Sequence, residues 1–173
     1  KSEKRYRTLA EEAPIGILTC DEEGNINYVN SQLLEILGSP DIEETKDINL
    51  LEFPPLKEQG IAEDLQYCLE TGEPLTSEKE YETKWGRKVY LRYHLTPRVE
   101  DSIVGAQIIV DDITARKKIE LKLRKLHATV DRLQTCDNKK ELCEKAVGDL
   151  EGVLGFDLCT IYLMEEGKLR PKA

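Results

Sequence analysis

The chain has 173 residues, of which 39% are hydrophobic and 34% charged, with a net charge of −9 at pH 7. That is enough for one domain of ordinary size, a helix and part of a second domain. The acidity disfavours nucleic acid or an anionic membrane as partner, and no apolar run nears the roughly 20 residues a membrane span needs. The chain opens on Lys1 without Met, and it reads as a piece of a longer, cytoplasmic protein. Its five cysteines (Cys20, Cys68, Cys136, Cys143 and Cys159) are odd in number and lack C-x-x-C spacing. They read as reduced, buried, small hydrophobes.

Residues 1–12 predict a short charged helix with Tyr6, Leu9 and Ala10 on one side, ended by Pro14. Ile15 to Cys20 and Ile26 to Asn30 read as strands around the turn Asp21-Glu22-Glu23-Gly24-Asn25. A short helix follows, capped by Asn30 or Ser31 and closed by Gly38. Residues 39–56, with Pro40, Pro54 and Pro55, read as loop. Residues 58–71 predict a helix with Ile61, Leu65, Cys68 and Leu69 on one face, stopped by Gly72 and Pro74. Strands are expected near 75–84, 87–96 and 103–111, turned at Lys84-Trp85-Gly86-Arg87 and at Glu100-Asp101. Hairpin-linked strands with helices gathered on one face make an α+β layout with an antiparallel sheet. Beyond Thr114 the pattern changes: Ile119, Leu123, Leu126, Val130 and Leu133 are spaced 4, 3, 4 and 3, a heptad seam that Asp137 interrupts. Asn138 and Glu141 can form a capping box for a further helix with Leu142, Ala146, Val147, Leu150 and Leu154 on its face. Gly155 ends that helix, and Leu158 to Met164 reads as a strand.

The element order and its punctuation resemble the PAS fold. The resemblance rests on Gly24-x-Ile26-x-Tyr28-x-Asn30, the Leu33-to-Gly38 helix, Thr71-Gly72-Glu73-Pro74, Thr96-Pro97 and Asp112-Ile113-Thr114. It implies a five-stranded antiparallel sheet over residues 1–114, followed by a signalling helix at 115–135. Residues 136–173, with Gly155-Phe156-Asp157 leading into a strand, resemble the start of a GAF domain. Thr114 is expected to cap the signalling helix, with Asp112 near its positive end and able to pair with Arg116.

A PAS domain encloses a cavity between sheet and helices. Strand alternation together with the resemblance places Leu18, Cys20, Tyr81, Leu91, Tyr93, Leu95, Gln107 and Ile109 on its wall, faced by Ile61, Leu65, Cys68 and Leu69. An unidentified small molecule is the expected occupant. Haem relatives ligate iron through a His on the long helix, and Glu58 to Thr71 holds none. Flavin relatives carry an Asn-Cys-Arg motif absent from residues 46–60. Gln107 matches their last-strand Gln, but Leu91 stands where a polar Asn is expected. No cofactor and no metal site are therefore expected. His94 should face outward. His127 sits on the signalling helix but is followed by Ala128-Thr129-Val130, unlike a phosphoacceptor box. Trp85, at a turn, either folds back on the sheet or marks a contact.

No catalytic constellation is present in the sequence. The leading expectation is a non-enzymatic sensory input and relay module of a multidomain signalling protein, a sensor histidine kinase. It would act as a homodimer through Ile119, Leu123, Leu126, Val130 and Leu133, aided by the N-terminal cap helix, with Asp112, Thr114 and Arg116 as relay. The alternatives are the same module in a transcriptional regulator, a ligand-free dimerising scaffold with its cavity filled by Tyr67, Tyr81 and Tyr93, or a haem or flavin redox sensor.

Overall fold

Turn chemistry and alternation build the sheet. In the computed structural model, which describes residues 8–99, 102–134, 143, 146–148, 162–165 and 168–171, β1 (Gly16–Cys20) and β2 (Ile26–Val29) form the first hairpin. Asp21 Oδ1 accepts from the amides of Glu23 and Asn25 and so holds the turn. Along β4 (Lys88–Val99) Val89, Leu91, Tyr93 and Leu95 are buried, while Arg92, His94 and Thr96 are exposed. β3 (Leu75–Glu82) and β5 (Ile103–Asp112) flank β4, and the antiparallel sheet runs β2-β1-β5-β4-β3.

Four helices cover its inner face: α1 (Ser31–Leu37), α2 (Ile42–Lys46), α3 (Pro54–Glu58) and α4 (Ile61–Thr71). Asn30 caps α1, its side chain accepting from the Leu33 amide, and Gly38 closes it at φ 69°. α2 and the start of α3 lie within the stretch expected to be loop, and the helix expected from residue 58 begins instead at Ile61, after Gly60 at φ 71°. Asp41 caps α2 by accepting from the Glu44 amide, and Pro54 starts α3 at a position where no intrahelical N–H is needed. These helices are too short to show a period. The core lies between the two layers, with Leu33, Leu65 and Leu95 at 1%, 2% and 1% exposure. Each such leucine stabilises the fold by about 1.5–3 kcal/mol.

Gly105 in β5 has φ 137°, and a Cβ there would stand 2.0 Å from the Cys20 carbonyl oxygen. Only glycine lets β5 and β1 approach so closely.

The chain divides into the units Lys1–Thr114 and Ala115–Ala173. α5 (Thr114–Gln134) starts at the last residue of the first unit. In the second, Cys143 and residues 146–148 are helical, and β6 (Tyr162–Glu165) pairs antiparallel with β7 (Lys168–Pro171). Of the expected N-terminal helix, residues 8–11 are helical. Tyr6, the Glu100-Asp101 turn, Cys136, the Asn138–Glu141 box, Leu142, Leu150, Leu154, Gly155-Phe156-Asp157, Cys159 and the side chain of Leu133 lie outside the described residues. Among the described residues, no helix is long and apolar enough to cross a membrane.

Candidate functional site: an apolar cavity and a polar junction

A cavity of about 80 Å³ lies between sheet and helices. Of the wall expected from the sequence, Leu18, Ile61, Leu65, Tyr81, Leu91, Tyr93 and Leu95 line it. Cys20 and Cys68 are wholly buried in the same core without lining the cavity. Burial pushes the Cys20 thiol up to about 11, the Ala106 backbone partly offsetting it, and burial also raises Cys68. Both are free thiols held in the unreactive protonated form.

Gln107 and Ile109 are not on the wall, and this corrects the expected register of β5. Ile108 pairs with both Leu18 and Leu95, whereas Gln107 pairs with Thr19 and Thr96 on the outer face. Directly paired residues share a face, so Ile108 and Val110 line the cavity instead. Alternation alone leaves both parities open: Val104, Ala106, Ile108 and Val110 are apolar but share their set with Asp112, and the other set mixes Ile103 and Ile109 with Gln107 and Asp111.

Sequence reasoning also missed Ile26, Leu33, Leu37, Thr45, Ile48, Leu50 and Leu56 on the wall. Leu33 and Leu37 share a helix face at i, i+4, a spacing that marked them. Ile48, Leu50 and Leu56 come from the stretch read as loop.

The polar groups of the wall are mostly satisfied. Tyr93 Oη donates to Asp64 Oδ2 at 2.5 Å, and Thr45 Oγ1 bonds Ser39 Oγ at 2.7 Å. Burial first, and the Asp64 carboxylate second, push the Tyr93 phenol up. Burial alone pushes Tyr81 up to about 12. Tyr67, a filler of the cavity in the ligand-free alternative, is 45% exposed, and its hydroxyl donates to Glu73. Helical spacing puts it opposite the buried Leu65 and Cys68 face. Trp85 folds back against the core, and its Nε1 donates to Glu44 Oε2 at 3.3 Å. His94 faces outward, with Nδ1 2.6 Å from Thr76 Oγ1. His127 is exposed on α5.

The junction at the end of β5 is polar. Asp112 Oδ1 accepts from the Thr114 amide at 2.9 Å, so Asp112 caps the start of α5. Thr114 does not cap: its hydroxyl accepts from the Tyr90 amide at 2.9 Å and ties the helix start to β4. Helix α5 already includes Thr114, one residue earlier than expected. The ion pair of Asp112 is with Arg87, Nη2 lying 3.7 Å from Oδ2, and not with Arg116 as expected. Arg87 Nη1 also donates to the Glu35 carbonyl at the C-terminal end of α1, a carbonyl that accepts from the Gly38 amide as well. Pro14, Gln32, Glu35, Ile36, Arg87, Asp111 and Asp112 line a polar cleft of about 150 Å³ at this place. Arg87 thus bridges α1, which lines the cavity through Leu33 and Leu37, to the carboxylate that caps α5. Nothing local in the sequence marks it, since Glu35 lies 52 positions away.

On the seam, Ile119, Leu123 and Val130 are 60%, 50% and 50% exposed, and Leu126 is half-buried. Among the described residues no cluster of His, Cys, Asp and Glu has a metal-binding arrangement.

No match was found among curated proteins. Solved structures do match. A domain of the sensory box sensor histidine kinase/response regulator from Geobacter sulfurreducens is 23% identical, with a TM-score of 0.55 over 64% of this chain and 94% of that one. The PAS domain of an HTR-like protein from Haloarcula marismortui is 26% identical, with a TM-score of 0.52 over 65% and 92%. A PAS domain from Colwellia psychrerythraea is 21% identical, with a TM-score of 0.54 over 66% and 99%. The family model described as the PAS fold matches residues 10–118, more than half of the chain. With its five-stranded antiparallel sheet and helix-covered inner face, the chain belongs to the PAS fold family.

Proposed function

We propose that the chain is a sensory input and relay module of a signal-transduction protein, with no catalytic residues of its own. In this reading a change in the apolar cavity shifts α1, Arg87 carries the shift to Asp112, and the capped start of α5 responds. The observation that carries the reading is the double engagement of Arg87 with the Glu35 carbonyl and the Asp112 carboxylate. Arg87 is half-exposed, so the pair contributes at most about 1 kcal/mol, which still biases a junction whose two states lie close in energy.

The parent protein is proposed to be a sensor histidine kinase, which the name of the Geobacter sulfurreducens structure supports. Dimerisation through the α5 seam and the N-terminal cap is proposed from the exposure of Ile119, Leu123 and Val130. Residues 136–173 are proposed to begin a GAF domain.

The relay is tested by filling the cavity and reading the junction in the whole chain. Leu65→Phe is expected to shift the Tyr90 and Thr114 amide resonances, and Arg87→Ala is expected to suppress that shift. Unmoved junction amides in folded Leu65→Phe protein would sink the relay.

A further inference from the structure

We propose that residues 39–48 form a strap over the core, latched by Glu44 to Lys84 and Trp85, and that release of this latch moves Arg87 through the turn Thr83–Arg87. The inference rests on reading Arg87 as the relay and adds the segment that sets its position.

The strap is defined by its ends. Before it, Gly38 closes α1 at φ 69°, a left-handed conformation that lets the chain leave the helix sharply. After it, Asn49 is fixed to the β1–β2 turn. Its Nδ2 donates to the Glu23 carbonyl and to Asn25 Oδ1, both at 2.9 Å, and the neighbouring Leu50 amide donates to the Gly24 carbonyl at 2.8 Å. Between these anchors, Thr45 and Ile48 are buried. Among the described residues, the backbone of the strap bonds only to itself and to α1. Glu44 makes the only polar contacts, among the described residues, that tie it to an element beyond α1.

Three contacts make the latch. The Trp85 indole Nε1 donates to Glu44 Oε2 at 3.3 Å, Lys84 Nζ lies 3.7 Å from the same oxygen, and it stands 5.7 Å from the centroid of the Trp85 ring. Glu44 and Lys84 are about half-exposed, so the contacts are weak ones. The strap can therefore open without breaking any bond of the sheet ladder. On the other side of the latch the turn is stiff. The Thr83 amide donates to the Arg87 carbonyl and the Gly86 amide to the Thr83 carbonyl, both at 2.9 Å, and the Arg87 amide donates to Thr83 Oγ1 at 3.2 Å. These three bonds within five residues hold the turn as one body. It grips the strap through Lys84 and Trp85, and through Arg87 it grips the Glu35 carbonyl and Asp112. A displacement of the strap is carried to Arg87 because nothing between them yields.

The test uses the whole chain, whose single tryptophan, Trp85, reports the latch. Glu44→Ala is expected to raise acrylamide quenching of Trp85 and to shift the Arg87 Nε–H resonance. It is also expected to speed exchange of the bonded amides of Glu44, Asp47 and Ile48 about twofold to fivefold. Glu43→Ala, in the same helix but outside the latch, is expected to leave all three readings close to those of the unmutated chain. Unchanged exchange of these amides or an unmoved Arg87 resonance in folded Glu44→Ala protein would overturn the proposal, and so would equal effects from Glu43→Ala. A shifted Arg87 resonance with unmoved Tyr90 and Thr114 amides would uphold the strap and remove the relay.

Discussion

Asn30 does at one position what several residues normally share. It is fully buried, and all of its amide hydrogen-bonding groups are used. Oδ1 accepts from the amides of Ile17 at 2.8 Å and Leu33 at 3.1 Å, while Nδ2 donates to the carbonyls of Ala10 at 2.8 Å and Ile15 at 2.9 Å. Its own amide donates to the Ile17 carbonyl at 2.9 Å. The residue therefore extends the β1–β2 ladder, caps α1 and pins the N-terminal segment at once. Asn30→Ala removes a cap and strands two donors and two acceptors, and should cost about 3 kcal/mol. Urea denaturation measures it, and a loss under about 1 kcal/mol would show that the network contributes little. The capping role was legible, because Asn before an apolar helix is a start signal. The other three bonds were not, since they join positions 13 to 20 residues away.

Among the elements, α5 and β5 show where periodicity speaks and where it is silent. The helix α5 follows from its heptads, and the exposure of Ile119, Leu123 and Val130 in a single chain leaves the seam in need of cover. A seam of about two heptads supports only a marginal association. Burying a leucine contributes about 1.5–3 kcal/mol and tenfold in affinity is 1.4 kcal/mol, so Leu126→Glu should weaken self-association by about tenfold or more. Sedimentation equilibrium of both proteins reads this directly. A monomer at high micromolar concentration for the unmutated chain would discard the dimer. In β5 the alternation is ambiguous, because Ile103 and Ile109 put apolar side chains on the outer face too. The strand's parity was settled by its partners, Leu18 on one side and Leu95 on the other.

At the scale of the whole molecule, buried weak acids tie stability to pH. Burial holds Cys20 at about 11 against an ordinary 9.0, and Tyr81 at about 12 against 10.0, with Tyr93 raised as well. The folded chain keeps these protons longer than the unfolded chain does. Their contribution is therefore complete below pH 9, and it drains away between 9 and 11 for Cys20 and between 10 and 12 for Tyr81. The urea midpoint should hold steady from pH 7 to about 9 and then fall, with Tyr81→Phe falling less steeply above pH 10. A midpoint unchanged from pH 8 to 11.5 would contradict the assigned burial. The amino-acid sequence alone determined the order of the five strands, the family motifs, the inward face of β4 and the heptads of α5. These rest on local rules: turn residues, caps, and periods that a single segment can display. Tertiary structure alone decided the parity of β5, the helices within 39–56, the volume of the cavity and the bridge made by Arg87. Each of these depends on which distant segments meet, and no local period encodes that.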